Sequence, residues 1–134
     1  VETGALPGPV GARATYVTRS DCAAVAAAIL AEGGHEGQFL EITGPEAVDV
    51  DGIARALTEA TGRPVRFEPQ TASEAAAAFE ARGVQREMAE AAAQFWRCAA
   101  EGWLDTTTHA VRRIAGRPPT TLAEFFETQR NALL

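Results

Sequence analysis

Cysteine is scarce in this chain of 134 residues, which has only Cys22 and Cys98. Both fall in apolar stretches with helical spacing, and neither belongs to the closely spaced Cys/His pattern of a zinc site. They are expected to be reduced core residues, with no disulfide and no metal, a usage that suits a reducing cytoplasm. Positive charge is also short: 12 basic residues face 18 acidic ones, for a formal net charge of -6. A phosphate-backbone partner needs clustered arginine and lysine, so nucleic acid is excluded as the main ligand. Long apolar runs are missing too. The longest, Cys22 to Ala31, is too short to cross a bilayer, and no signal-peptide pattern opens the chain. A soluble, cytoplasmic protein without a membrane partner is expected.

What is present is a chain that is 46% hydrophobic, with many alanines and few aromatic residues. Its length suits one domain or one part of a larger one, which could bury roughly two thirds of its unfolded surface if it folds alone. The first residue is Val1, so further residues are expected upstream.

Residues 35 to 67 organise the pattern. Phe39 to Thr43 is a short run of strand formers, and Thr43-Gly44-Pro45 is a turn signal that no helix would cross. Asp49 can cap a following helix in which Ile53, Ala56, Leu57 and Ala60 share a face, and Gly62 supplies the left-handed stop. Pro64 prevents resumption. Val65 and Phe67 alternate with Arg66 and Glu68 as in a strand with one wet face. The unit is strand, turn, helix, strand.

Upstream, residues 3 to 12 are rich in glycine and proline and are predicted to form no regular element. From the residues alone they read as an exposed linker. Arg13 to Val17 suits a strand with Ala14 and Tyr16 on one face. Ser20 or Asp21 can cap a helix over 21 to 31, and capping is the simplest role for Asp21. That helix is apolar on all sides, so it is predicted to be buried between layers. His35 is a candidate acid or base by residue type, but no carboxylate at a fixed spacing orients it in its glycine-rich turn.

Downstream, Ser73 can cap a helix to Arg82 that Gly83 ends. Gln85 to Glu101 suits a longer helix with Met88, Ala92, Phe95 and Ala99 on one face and Trp96 to its side. After Gly102 and Trp103, Thr106 to Thr108 can cap a short helix through Ile114, closed by Gly116, with His109 at its surface. Pro118 and Pro119 stop it. Thr121 can cap a last helix whose apolar face is Leu122, Phe125, Phe126 and Leu133.

Three stretches together carry a family resemblance: Tyr16-Val-Thr-Arg-Ser-Asp-Cys-Ala-Ala-Val-Ala-Ala-Ala, Gly34-His-Glu-Gly-Gln-Phe-Leu-Glu-Ile-Thr-Gly-Pro-Glu-Ala and Gly116-Arg-Pro-Pro-Thr-Thr-Leu-Ala-Glu-Phe. In this order they resemble the C-terminal half of the NmrA-like atypical short-chain dehydrogenase/reductases, of the quinone oxidoreductase 2 type. The resemblance implies an α/β fold: the C-terminal half of a Rossmann-type domain, mostly helical with a few short strands. Residues 1 to 134 would be its substrate-binding part, with Phe39 to Thr43 at the edge of the parallel sheet. It further implies NADPH as cofactor, held mainly by an N-terminal half or companion chain. The chain has no Gly-x-Gly-x-x-Gly turn to face a pyrophosphate and no Tyr-x-x-x-Lys pair. No cofactor-binding residue is therefore assigned.

By the same resemblance Phe79, Phe95, Trp96 and Trp103 lie in the helical lobe over the substrate, where aromatic walls suit a flat conjugated carbonyl. Phe79 and Phe95 are more simply core. Tyr16, Trp96 and Trp103 are the substrate-binding candidates, with Tyr16 as a hydroxyl donor, and the catalytic residues are unknown. The implied function is reduction of a quinone or related conjugated carbonyl. The alternatives are an NADP(H)-sensing regulator and a stand-alone, cofactor-free isomerase, cyclase or small-molecule binder. A homo-oligomer suits any of them.

Overall fold

A computed structural model describes residues 4–134. In chain order its elements are β1 (Ala5–Gly8), β2 (Arg13–Thr15), α1 (Arg19–Glu32), β3 (Ala47–Asp49), α2 (Val50–Thr61), β4 (Arg66–Pro69), α3 (Ala72–Ala81), α4 (Arg86–Ala100), α5 (Ala110–Ala115), α6 (Leu122–Thr128) and α7 (Arg130–Leu133). Among the described residues the strands form two pairs: β1 runs parallel to β4, with Leu6 opposite Phe67, and β2 runs antiparallel to β3, with Ala14 opposite Val48.

Helix α2 is the hub. Asp49 accepts the Gly52 amide at 2.7 Å to start it, and Gly62, at φ 71°, ends it in the left-handed conformation. Its buried Ala54 and Leu57 form a core with Val65, covered by Leu6, Ile53, Phe126 and Leu133. The β1–β4 pair thus packs on one side of α2 and the C-terminal helices on another. Two helix pairs flank this body: α1 on α5, and α3 on α4.

Several expectations are corrected. Residues 3 to 12 do form a regular element, β1, with Thr3 outside the described residues. The Gly4 and Gly8 carbonyls accept the amides of Arg66 and Gln70 at 2.9 Å. That ladder engages the even-numbered residues of β1, so Pro7 is not asked for an amide. Phe39 to Thr43 forms no strand. A strand needs a neighbouring strand to take its backbone groups, no strand among the described residues pairs with this stretch, and Phe39 is 94% exposed. The strand of this region is β3, beyond the turn.

Helix α1 is not buried between layers. Only its α5 side is covered: Asp21 and Val25 are buried while Leu30 is 87% exposed, and Cys22, expected in the core, is exposed. The inward face of α4 is also displaced from the expected one. Ala89 and Ala93 are buried, because small residues let α3 and α4 approach closely, whereas Met88 and Phe95 are exposed. Three caps move as well. Thr18 caps α1 and Thr71 caps α3 in a box with Glu74, while α5 starts at His109 with no side-chain cap. Thr121 does cap α6, reciprocally with Glu124.

Asp21, expected to cap α1, instead donates its amide to the Thr18 cap and turns its carboxylate to a tertiary contact. Its side chain is fully buried, yet it accepts hydrogen bonds from the Thr18 hydroxyl (2.8 Å), the Thr120 amide (3.0 Å) and Arg117 (2.5 Å). Burial disfavours its charged form, but the Thr120 amide, the Thr18 hydroxyl and Arg117 outweigh that and hold the carboxyl below its usual range. It ties α1 to the segment between α5 and α6. Asp21→Asn is expected to cost about 2 kcal/mol at neutral pH, because it weakens the charge-assisted hydrogen bonds of a buried carboxylate whose partner Arg117 is half-exposed and partly screened. A carboxyl whose folded pKa is depressed stabilises above its unfolded value and loses that contribution as pH falls through the folded one. Denaturation of the wild type and the variant should therefore show a stability gap at neutral pH that closes in acid, below about pH 4.

Candidate functional site

Strand β2 and helix α4 face each other across a cleft of about 330 Å³. The alternation of β2 puts Ala14 and the following Tyr16 on the cleft side. From α4 come the neighbours Phe95 and Trp96, and from α2 comes Ile53; Leu104 lies just beyond α4. The walls are mostly apolar. Arg13 also borders the cleft, but its guanidinium donates to the Ala47 carbonyl at 2.8 Å.

Tyr16 is held by its backbone. The preceding Thr15 donates its amide to Leu104 O and its hydroxyl to Thr106 O, both at 2.8 Å. On the other side Gly44 lies so close that a Cβ there would sit 1.8 Å from the Tyr16 carbonyl oxygen. The Gly44 segment is itself fixed, because the Thr43 hydroxyl accepts the Thr108 amide at 2.8 Å and the Thr108 hydroxyl donates to Glu41 O at 2.8 Å. Burial raises the Tyr16 pKa, so its hydroxyl stays protonated at neutral pH and can donate a hydrogen bond. The cleft can therefore do two things chemically: stack on a flat ring, and offer that ring's oxygen a donor.

Of the three candidate residues, the structure brings Tyr16 and Trp96 to the same cleft. Trp103 does not line it and is 74% exposed. Phe79 is half-buried and away from the cleft, whereas Phe95, expected in the core, is 67% exposed at its rim. Sequence reasoning missed Leu104 and ranked Phe95 as core ahead of its alternative place in the aromatic wall. The usable signal was the Ala89 and Ala93 pair, four apart, which marks the packed side of α4 and turns Phe95 outward. His35 lies 3.4 Å from Gln38 through Nδ1 and borders no cleft with Tyr16. Among the described residues no group of three or more His, Cys, Asp or Glu is placed to hold a metal ion, and no helix is long and apolar enough to cross a membrane.

A dinucleotide's pyrophosphate is usually bound by free amides at a helix start behind a glycine-rich turn. Here Thr18, Asp49, Thr71 and Thr121 each accept one first-turn amide of α1, α2, α3 and α6, and α4, which starts at Gln85 without a side-chain cap, follows no glycine-rich turn. The position four residues after Tyr16 is Ser20, where a Tyr-x-x-x-Lys pair would have lysine. The described residues do not fit a whole nicotinamide dinucleotide.

The fold is part of an NAD(P)-binding reductase fold. The chain is 34% identical over 125 residues to an NAD(P)H azoreductase of Xenophilus azovorans, covering 92% of this chain and 44% of that protein. It is 32% identical over 125 residues to quinone oxidoreductase 2 of Escherichia coli, with the same 92% and 44% coverage. A crystal structure of the Escherichia coli quinone oxidoreductase QOR2 complexed with NADPH matches with a TM-score of 0.89 at 31% identity, over 95% of this chain and 45% of that one. An NmrA-like family domain-containing oxidoreductase of Aspergillus flavus is 26% identical over 121 residues, covering 88% of this chain and 39% of its own length. No protein-family model matches the chain. The chain is thus similar over most of its length to quinone oxidoreductase 2 and NmrA-like oxidoreductases, and it spans less than half the length of these relatives.

Gly44→Ala is expected to drive Tyr16 from its place and to cost about 3 kcal/mol, the upper range for overpacking. Gly37→Ala, in an open turn at φ 73° with nothing within 4 Å of the new Cβ, should cost about 1 kcal/mol through its backbone conformation. Chemical denaturation of the two variants side by side checks the contrast.

Proposed function

We propose that residues 1 to 134 are the C-terminal, acceptor-binding part of an NADPH-dependent oxidoreductase that reduces a quinone or related conjugated carbonyl. The observation that carries the reading is the apolar cleft with Tyr16 at one wall and Trp96 at the other. The relatives support it through the chemistry in their names: one is an NAD(P)H azoreductase and one a quinone oxidoreductase. The reductant chemistry belongs to the nicotinamide cofactor, gripped by residues outside this chain. This chain's part is to seat the acceptor, exclude water from it and donate a hydrogen bond from the Tyr16 hydroxyl to its oxygen. Trp103, exposed beside the lobe, would touch the acceptor only from outside this cleft.

The partner of this part is the nucleotide-binding half of the same fold. Its docking is supported by what lies uncovered: the outer side of α1, with Leu30 exposed, and the extended stretch at Phe39, whose backbone has no ladder. A parallel sheet would cover the first and pair with the second.

The test is NADPH consumption by the full-length protein with 1,4-naphthoquinone as acceptor. Turnover is expected, with Trp96→Ala raising KM about tenfold through the lost stacking and burial. Tyr16→Phe should lower kcat/KM about tenfold, the worth of one hydrogen bond to the acceptor. Failure of the wild type to consume NADPH with any quinone would sink the proposal.

A further inference from the structure

Trp96 and Pro9 border a second depression as well as the acceptor cleft. At about 290 Å³ it is near the lower limit for a small-molecule site, with room for one ring. Much of its wall is apolar, but three polar side chains reach it: Gln70 from just past β4, Glu74 from α3 and Arg97 from α4.

Each of the three keeps hydrogen-bonding atoms in hand. The Glu74 carboxylate takes the Thr71 amide at 2.7 Å and the Thr71 hydroxyl at 2.8 Å through one oxygen, Oε2, which leaves Oε1 open among the described residues. Those two bonds hold its carboxyl below the usual range, so it is charged at neutral pH. Arg97 donates to the Gln94 side chain through Nη2 alone, and it makes no ion pair among the described residues. Gln70 gives its backbone amide to Gly8, and its side chain has no partner among the described residues.

That set selects a ligand by elimination. An anion would face the Glu74 carboxylate, a cation would face the Arg97 guanidinium, and a bare aromatic ring would cover all three polar groups without pairing them. A neutral group that both donates and accepts hydrogen bonds satisfies all three. A sugar ring has this chemistry: the hydroxyls around its rim give and take hydrogen bonds, while its C–H faces rest on apolar and aromatic walls.

We propose that the second depression is a subsite for one sugar ring, carried as a glycosyl substituent on the acceptor that lies in the first cleft. The inference rests on the acceptor-site reading above and extends it from a bare quinone to a glycosylated one. Glu74 accepts from sugar hydroxyls, Arg97 donates to them and Gln70 does both, while Trp96 and Pro9 mark the junction that the glycosidic bond crosses. No bond is made or broken in the subsite. It adds affinity and fixes the direction in which the acceptor enters.

Calorimetric titration of the full-length protein with 5-hydroxy-1,4-naphthoquinone, its 5-O-β-glucoside and methyl β-glucoside tests this without relying on turnover. The quinone glucoside is expected to bind about tenfold more tightly than the free quinone, the worth of one or two hydrogen bonds. Arg97→Met and Gln70→Leu should each remove most of that gain and leave the free quinone within about twofold, because neither residue borders the first cleft. A glucoside that binds no more tightly than the free quinone, or variants that weaken both ligands equally or neither, overturns the sugar subsite and leaves the acceptor reading in place. If the free quinone does not bind, the acceptor reading fails, and methyl β-glucoside then reports on the subsite alone: binding that is lost in Arg97→Met supports it, and no binding overturns it.

Discussion

A fully buried carboxylate is tolerated only where its hydrogen bonds are made, and Asp21 makes them across 96 residues of chain, with Arg117. Its other bonds, to Thr18 and the Thr120 amide, leave it no unmet acceptor capacity that water must serve. The consequence is geometric. Helix α1 cannot slide on α5 without stripping a buried charge of its partners, which costs more than most surface changes gain. The segment that enters α6 is fixed by the same contact, and α6 with α7 closes the core around α2. The hub and its flanking helix pair are thereby registered to one another.

The cleft inherits that order through shorter links. Thr43 and Thr108 join the loop before β3 to the start of α5, and Gly44 in that loop bears on the backbone of Tyr16. Thr15 joins β2 to the residues that follow α4. Tyr16 and Trp96 come from elements distant in sequence, and backbone hydrogen bonds bring the two walls together. Glycine at 44 is a steric requirement of that junction, since any side chain would occupy the carbonyl of Tyr16.

Much of this was legible in the sequence wherever local chemistry decides the outcome. Asp49, Gly62, Thr121 and the alternation at Val65 and Phe67 specify their elements by capping, backbone freedom and period, and those elements form as expected. Misreadings arose where tertiary context decides. Pro7 looked incompatible with a strand because the pairing phase of β1 cannot be read from composition. Phe95 looked buried because helical spacing gives a face but not which face packs. Asp21 and Arg117 carry no local sign of meeting. The strand at Phe39 to Thr43 and the burial of α1 failed for one shared reason: both require a neighbouring sheet, and none lies beside them among the described residues. Of the residues lining the cleft, Tyr16 and Trp96 follow as candidates with the help of the family resemblance, whereas Leu104 carries no signal.

The central claim is a division of labour, in which this chain seats the acceptor and residues outside it grip the coenzyme. The most direct measurement is a structure of the full-length protein with NADPH and a naphthoquinone bound. The account predicts the quinone ring between Tyr16 and Trp96, with the coenzyme phosphates touching no residue from 4 to 134. Phosphates seated wholly on helix starts of this chain, or a quinone bound away from Trp96, would contradict it.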